Sequence, residues 1–327
     1  MTAETILVTG AAGQIGSELV PALRNIQGHE KVVASDVVQP QSGLQKAGPF
    51  EILDVTDQEA LSRLIQKYQI KIIYHLAAIL SASGEKSPKK AWEVNISGFY
   101  NVLEASRELG VKQVFCPSSI AVFGPATPKV HTPQDTILNP TTIYGVSKVA
   151  GEHLADYYVL RYGLDVRGCR FPGIISNETL PGGGTTDYAV AIFYAALIQG
   201  KYTCFLKPET RLPMMYMPDC LKAIINLMSA DFSGLKHHSN FNVTAISFSA
   251  EELAAEIKKH LPDFEVEYRP DFRQAIADTW PESIDDSAAR AEWGWQPDFD
   301  LARLTEDMLR VLGEKKKQGK LTWVIPE

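Results

Sequence analysis

Along the first half of the chain, short β-branched runs alternate with stretches in which apolar residues recur every three or four positions. The runs "TILVT", "KVVAS", "FEIL", "KIIYHLA", "KQVFCPSS" and "DVRGCRF" read as strands. Helices are predicted from about Gln14, from about Asp57, near residues 89–109 and near residues 144–162. In the third of these, Trp92, Ile96, Phe99 and Leu103 follow the four-three-four spacing of one buried face. Repeated strand–helix alternation predicts an α/β fold in which a doubly wound parallel sheet is covered on both sides.

After about Pro172 the pattern loosens into loops, a glycine triplet, several prolines and the run "PMMYMPD". The expected division is therefore a sheet domain over 1–172 and a smaller lobe over 173–327. Parts of 213–245 are expected to return to the sheet, because "FNVTA" reads as a strand and the residues from Asp219 as a covering helix. No internal repeat or low-complexity tract interrupts the alternation.

Composition narrows the function classes. A chain of 327 residues, 45% hydrophobic and 22% charged, can bury a large core and favours two domains over one. A net charge of -7, with no basic stripe interleaved with aromatics, argues against a nucleic-acid partner. Lys315, Lys316 and Lys317 read as a solvated helix end. No apolar run reaches the length of a membrane span, and "MTAE" leads into the first strand without a secretory pattern. A cytoplasmic protein is expected, or a mitochondrial-matrix one if a presequence has been removed. Cys116, Cys169, Cys204 and Cys220 lie far apart without C-x-x-C spacing and are expected to be reduced and buried. His237 and His238 have no partner ligands at helical spacing, so no metal is expected.

Two motifs carry chemistry. In "VTGAAGQIG", Gly10, Gly13 and Gly16 close a strand and open a helix, as a backbone must to approach a pyrophosphate at a helix N-terminus. Asp36, at the end of the second strand, is placed to accept hydrogen bonds from an adenosine ribose and to repel a phosphate there, which favours NAD over NADP. The phosphate loop G-x-x-x-x-G-K-[ST] is absent, since Ile15 stands five residues after Gly10 and no lysine follows. In "YGVSK", Tyr144 and Lys148 lie one helical turn apart, and the serines of "CPSSIAVFG" end a parallel strand at the edge where such sheets bind ligands. A tyrosine base needs its pKa of about 10 lowered by roughly three units, about 4 kcal/mol. One charge about 4 Å away at an effective dielectric near 20 supplies about that much. The stretch "PGGGTTDYAV" is not expected to be a phosphate cradle, since the pyrophosphate is assigned to the glycines at 10, 13 and 16 and no lysine follows Gly184; its glycines are expected to let a loop close over a small ligand.

With "TGAAGQIG", "DVTD", "HLAA", "SSIAVFG", "YGVSK" and the C-terminal "DDSAARAEWGWQPDF", essentially the whole chain resembles the extended short-chain dehydrogenase/reductase family. The resemblance implies a Rossmann domain over 1–172, bound NAD and a substrate-binding lobe. It implies that Ser119 orients a substrate hydroxyl, Tyr144 takes its proton and Lys148 holds the phenolate. The implied cofactor set is Gly10, Gly13, Gln14, Ile15, Gly16, Asp36, Asp54 and Val55 flanking adenine, Leu76, Ala77, Ala78, Asn95, Tyr144, Lys148, Phe171 and Ile174. Asn95 would support the lysine, or lie solvated on a helix face. Subunits of this family usually pair through the two helices near 89–109 and 144–162, so a homodimer with a four-helix interface is implied. The apolar stripe of the first helix could equally pack within one subunit.

Two branches of the family compete for the substrate. Sugar-nucleotide epimerases and dehydratases usually carry arginine, an aromatic and asparagine after the sixth strand. Here the segment is "CRFPGII", and Pro172 donates no hydrogen bond. The segments "PGGGTTDYAV", "HLAAILSASGE" and "DTWPESIDDS" are instead similar to the branch that oxidises the β-hydroxyl of L-threonine, implying 2-amino-3-oxobutanoate and NADH as products. Candidate substrate contacts are Ser81, Gly184, Thr185, Thr186 and Trp280, with Ser119 and Tyr144. Each has a structural alternative: Ser81 as a loop cap, Thr186 or Asp187 as the N-cap of "YAVAIFYAALIQG", and Trp280 as core. Arg170 reads as structural. A non-catalytic NAD sensor would be expected to lack the tyrosine or the lysine.

Overall fold

The computed structural model describes residues 4–40, 43–180, 182 and 184–321. Strand β1 (Ile6–Thr9) leads through the glycine turn into helix α1 (Gly16–Gln27), followed by β2 (Val32–Asp36), β3 (Phe50–Ile52), α2 (Gln58–Tyr68) and β4 (Ile72–His75). The chain continues through α3 (Ser81–Lys86), α4 (Pro88–Trp92), a π-helical turn at Glu93–Ser97, and α5 (Gly98–Leu109). Next come β5 (Gln113–Phe115), β6 (Ser118–Ser119), α6 (Ile143–Tyr162), β7 (Asp165–Arg167), β8 (Cys169–Phe171) and β9 (Gly173–Ile175). The remainder holds α7 (Tyr188–Gln199), β10 (Lys201–Cys204), β11 (Arg211–Tyr216), α8 (Met217–Ser229), β12 (Phe241–Asn242) and β13 (Ile246–Ser249). It closes with α9 (Ala250–His260), β14 (Glu265–Tyr268), α10 (Phe272–Ala277), α11 (Ser287–Trp293) and α12 (Leu301–Lys317).

The central sheet is parallel, in the order β3-β2-β1-β4-β5-β7, with Ile6 beside both Val32 and Ile72. All four residues of β1 are buried, as a strand covered on both faces requires. This is the Rossmann order, and its direction of travel reverses between β1 and β4, which opens a ligand crevice beyond their carboxyl ends. The strand expected over "DVRGCRF" is two strands, β7 and β8, divided at Gly168. A Cβ there would come within 2.2 Å of the Cys116 carbonyl and 2.7 Å of the Ser239 carbonyl. "KQVFCPSS" divides likewise, because Pro117 offers no N–H to the ladder. Beyond the bend, β6, β8 and β12 form a separate parallel ribbon that carries Ser118 and Ser119.

The helix expected near 89–109 is also interrupted. Trp92 is exposed and Ile96 half-buried, while Phe99 and Leu103 are buried, so the four do not share one buried face. The π turn at Glu93–Ser97 inserts an extra residue and rotates the phase. Ala91, Asn95, Phe99, Val102 and Leu103 point inward as a result. By contrast, α2 starts where the sequence places it, with the Asp57 carboxylate accepting the Ala60 N–H at 2.9 Å.

Helix α8 packs against α1, and β12 pairs with β8. Ala289 of α11 and Trp295 beyond it are fully buried in the apolar cluster that α1 and α8 share. A second apolar cluster surrounds α7, which is buried from Tyr188 to Ala196 as its almost uninterrupted apolar sequence demands. The ribbon β9-β11-β13 adjoins it. Cys169, Cys204 and Cys220 are buried and Cys116 is half-buried, all with free thiols. No helix among the described residues is long and apolar enough to cross a membrane.

Candidate active site

The glycine turn after β1 shows why each glycine stands where it does. Gly10 has φ 68°, and a Cβ on it would lie 2.6 Å from the Ala77 nitrogen. A Cβ on Gly16 would lie 2.3 Å from the Gly10 carbonyl. Both are required by packing. Gly13 is exposed and its nearest neighbour is milder, the Gly10 carbonyl at 3.2 Å, so it leaves the backbone open for a ligand. No side chain caps α1, and its N-terminus opens on a cavity of about 220 Å³ lined by Gly10, Gly13, Gln14, Ile15 and Gly16. The same cavity is walled by Leu76, Ala78, Phe171 and Ile174, and by Ser119, Tyr144 and Lys148.

A second cavity of about 490 Å³ shares Gly10, Gly13, Leu76 and Ala78 with the first. It is lined by Asp36, Asp54, Val55 and Ala77. The Asp36 carboxylate is fixed at the strand end by the Ala12 N–H at 2.9 Å and the Val38 N–H at 3.3 Å. Asp54 accepts from both the backbone and the hydroxyl of Thr56, at 2.9 and 2.7 Å. Val37, Val38, Lys90 and Val94 also line this cavity and escaped the sequence reading. Val37 and Val38, directly after Asp36, are exposed.

Helix α6 presents Tyr144 and Lys148 on one face. Thr142 caps it through the Gly145 N–H at 3.0 Å, and Gly145 sits so close to the Ala121 carbonyl that a Cβ would be 2.2 Å away. Lys148 Nζ donates to the Pro117 carbonyl at 2.6 Å and lies 5.5 Å from the centre of the Tyr144 ring. The two serines have different surroundings. Ser118 donates to buried Glu152 at 2.5 Å, and Ser119 accepts the Ala121 N–H at 3.2 Å; both line the cavity. Glu152 is gripped by Arg170 through two bonds of 2.9 and 2.8 Å, and Arg170 also donates to the Gln134 carbonyl at 2.8 Å. Arg170 is thus held inside the protein.

Asn95 lines neither of these two cavities and is buried rather than solvated. Its Oδ1 accepts the Ile79 N–H at 2.8 Å; its Nδ2 donates to the Ile79 carbonyl at 3.0 Å and to Ser147 Oγ at 3.1 Å. It therefore ties the loop after β4 to α6. His75, in the same "HLAA" segment, stacks on Phe99 at 5.5 Å and lies 2.9 Å from Thr9 Oγ1. Burial pushes its pKa down to about 3, with the Lys148 charge adding to the effect, so the ring is neutral.

At the far end of the first cavity, Ser81 and Thr185 are both buried with their hydroxyls 3.4 Å apart. Ser81 opens α3 without capping it, because the residue at the cap position is Leu80. Thr186 fills the space left by Gly173, whose Cβ would be 2.7 Å from that of Thr186. Asp187 is the cap residue of α7, and its carboxylate reaches back to the Gly184 N–H at 2.8 Å. Gly184 and Trp280 complete the wall, and Trp280 belongs to the apolar core as well. Leu80, Ile120, Pro172 and Gly173 line it too, each adjacent to a residue singled out from the sequence. Pro181 and Gly183, from the glycine stretch read as a closing loop, lie outside the described residues. Two of the three lysines read as a solvated helix end are engaged: Lys315 bonds the Asn177 carbonyl at 2.7 Å and Lys316 the Leu197 carbonyl at 2.6 Å.

A cradle that leaves Gly13 bare, ends in a fixed acid and adjoins a tyrosine–lysine pair fits a dinucleotide, and defines an NAD-dependent oxidoreductase. The chain belongs to the NAD dependent epimerase/dehydratase family, whose model matches residues 6–244, and so to the extended short-chain dehydrogenases/reductases. It is similar to the L-threonine dehydrogenase from Phytophthora infestans, with 51% identity, 95% of this chain and 100% of that one covered, and a TM-score of 0.92. A monomeric L-threonine 3-dehydrogenase from a metagenome is also 51% identical, covering 94% and 98% of the two chains at a TM-score of 0.91. An uncharacterized epimerase/dehydratase of Staphylococcus haemolyticus is 48% identical over 316 residues, 96% of this chain and 99% of that one.

Proposed function

We propose that this protein is an L-threonine 3-dehydrogenase, converting L-threonine and NAD to 2-amino-3-oxobutanoate, NADH and a proton. The observation that carries the reading is the hydroxyl-lined end of the first cavity, where Ser81, Thr185 and Thr186 face the same space as Ser119 and Tyr144. Such a set of small donors and acceptors suits a compact zwitterion, and Trp280 and Leu80 help exclude water from it. The solved relatives with that activity support it.

In this reading Ser119 donates to the β-hydroxyl oxygen and keeps it against Tyr144. Tyr144 removes the hydroxyl proton as the C–O bond gains double-bond character. Lys148, anchored by the Pro117 carbonyl, places its charge beside the Tyr144 ring. Gly10, Gly13, Gln14, Ile15 and Gly16 would hold NAD, which when bound would supply the hydride acceptor for oxidation at the β-carbon. Residues 1–172, with α8 and β12, serve the cofactor, and the lobe beyond serves the substrate.

A sugar-nucleotide substrate would need donors for its diphosphate. Pro172 has none to offer and the Arg170 guanidinium is paired with Glu152 in the interior. The test is a panel of competing substrates for NADH formation. L-Threonine is expected to be preferred over serine, allo-threonine and 3-hydroxybutyrate; equal turnover of 3-hydroxybutyrate, which lacks the amino group, would refute an amino-acid site.

We further propose that two copies pair through α5 and α6, although one relative is described as monomeric. Tyr100, Val146, Tyr157 and Tyr162 are exposed on these helices, and Leu160 is 87% exposed. Sedimentation velocity is expected to show a dimer that Leu160→Asp converts to a folded monomer. A wild-type protein that sediments as a monomer would contradict this.

A further inference from the structure

Gln14 and the first turn of α1 reach across the cofactor cradle to the segment that leads from β9 towards the substrate end of the cavity. Gln14 Nε2 donates to the Ile174 carbonyl at 3.2 Å, and the hydroxyls of Ser17 and Thr179 lie 3.0 Å apart. Glu18 accepts a bond from Ser176 Oγ at 2.5 Å. These contacts join residues roughly 160 positions apart; Gln14 directly follows Gly13, and Ser17 and Glu18 lie in the first turn of α1. Ser176 also holds its own turn, accepting the N–H groups of Glu178 at 3.0 Å and Thr179 at 3.2 Å.

On its other side the segment is held by α12. Lys315 bonds the Asn177 carbonyl at 2.7 Å and pairs with Glu178 at 2.8 Å. Asn177 Nδ2 donates to the Tyr216 hydroxyl at 2.5 Å, which donates to Asp307 at 2.7 Å. Residues 174–179 are therefore clamped between the helix that receives the cofactor diphosphate and the last helix of the lobe, a few residues before Thr185 and Thr186. Burial raises the Glu18 carboxyl above its ordinary range, with Glu178 adding to it and Ser176 and Lys315 opposing.

We propose that Ser17 and Glu18 are positioning residues that link the cofactor helix to the substrate wall, so that NAD at the α1 N-terminus steadies residues 174–180 for the amino acid. The proposal rests on the assignment of Thr185 and Thr186 to the substrate. Its physical content is that the dinucleotide fixes the first turn of α1, and the two side chains pass that constraint to Thr179 and Ser176. Such a link makes cofactor and substrate binding mutually favourable.

Hydrogen–deuterium exchange of the peptide spanning 173–180, with and without NAD, tests it. In the wild type NAD is expected to slow exchange there by about tenfold, within the range of ordinary couplings between sites. Ser17→Ala/Glu18→Ala, which keeps the cradle glycines and the Ser176 turn, is expected to abolish that NAD-dependent slowing. The same variant is expected to raise KM for L-threonine by about tenfold with NAD affinity little changed. Lys315→Ala, which loosens the other side of the clamp, is expected to speed exchange equally with and without NAD. NAD-dependent slowing that persists in Ser17→Ala/Glu18→Ala, or is absent from the wild type, overturns the proposal. Because the exchange measurement needs no substrate, its outcome is independent of whether L-threonine is turned over.

Discussion

Tyr144→Phe is expected to lower turnover by about 10²–10⁴-fold, the usual range for removing a positioned proton acceptor. The substitution removes one hydroxyl and leaves the architecture around it. Thr142 still caps α6, Gly145 still packs against the Ala121 carbonyl, and Lys148 is held by Pro117 independently of the phenol. NAD affinity, measured by fluorescence titration, is therefore expected to stay within about twofold of wild type, since the cradle, Asp36 and the walls of the second cavity are untouched. Steady-state rates with L-threonine are the check. A variant with wild-type rates would remove Tyr144 from the chemistry.

The largest effect on stability is expected at Arg170. Its guanidinium and the Glu152 carboxylate are 3% and 2% exposed and joined by a two-pronged bond, with Ser118 as a third member. Arg170→Met leaves Glu152 buried without its counter-charge, which costs about 3–5 kcal/mol. Urea unfolding is the measurement, and a loss below about 1 kcal/mol would mean that water or another donor compensates. Replacing both partners with apolar residues, Arg170→Met/Glu152→Leu, is expected to recover most of the loss, because no buried charge remains.

What could be read from the chain, and what could not, follows from the range of the forces involved. The Asp57 cap and the Tyr144–Lys148 spacing are local, because each depends on residues within a few positions, while the glycine turn and Asp36 are read from their set spacing after a strand. The structure gathers the cradle glycines, Ser119, Tyr144, Lys148, Ser81, Thr185, Thr186 and Trp280 around one cavity. The misread features are those fixed by distant partners. Asn95 is drawn inward by Ile79 and Ser147, and the π turn that accompanies it puts Trp92 on the surface, which the apolar spacing alone cannot reveal. Gly168 breaks a strand because Cys116 and Ser239 crowd it. Lys315 reads as a solvated end until Asn177 and Glu178, far back in the chain, are placed beside it. Val37 and Val38 are exposed apolar residues whose place at a cavity appears only once β2 and β4 are set either side of β1.

The central claim is that the cavity beside Tyr144 takes an amino acid rather than a sugar nucleotide. Incubation of the purified protein and NAD with L-threonine or with UDP-glucose, following NADH and the carbohydrate products together, tests it most directly. The expected result is NADH accumulating with L-threonine in step with 2-amino-3-oxobutanoate, and no conversion of UDP-glucose. Interconversion of UDP-hexoses without net NADH, and no NADH from L-threonine, would contradict it.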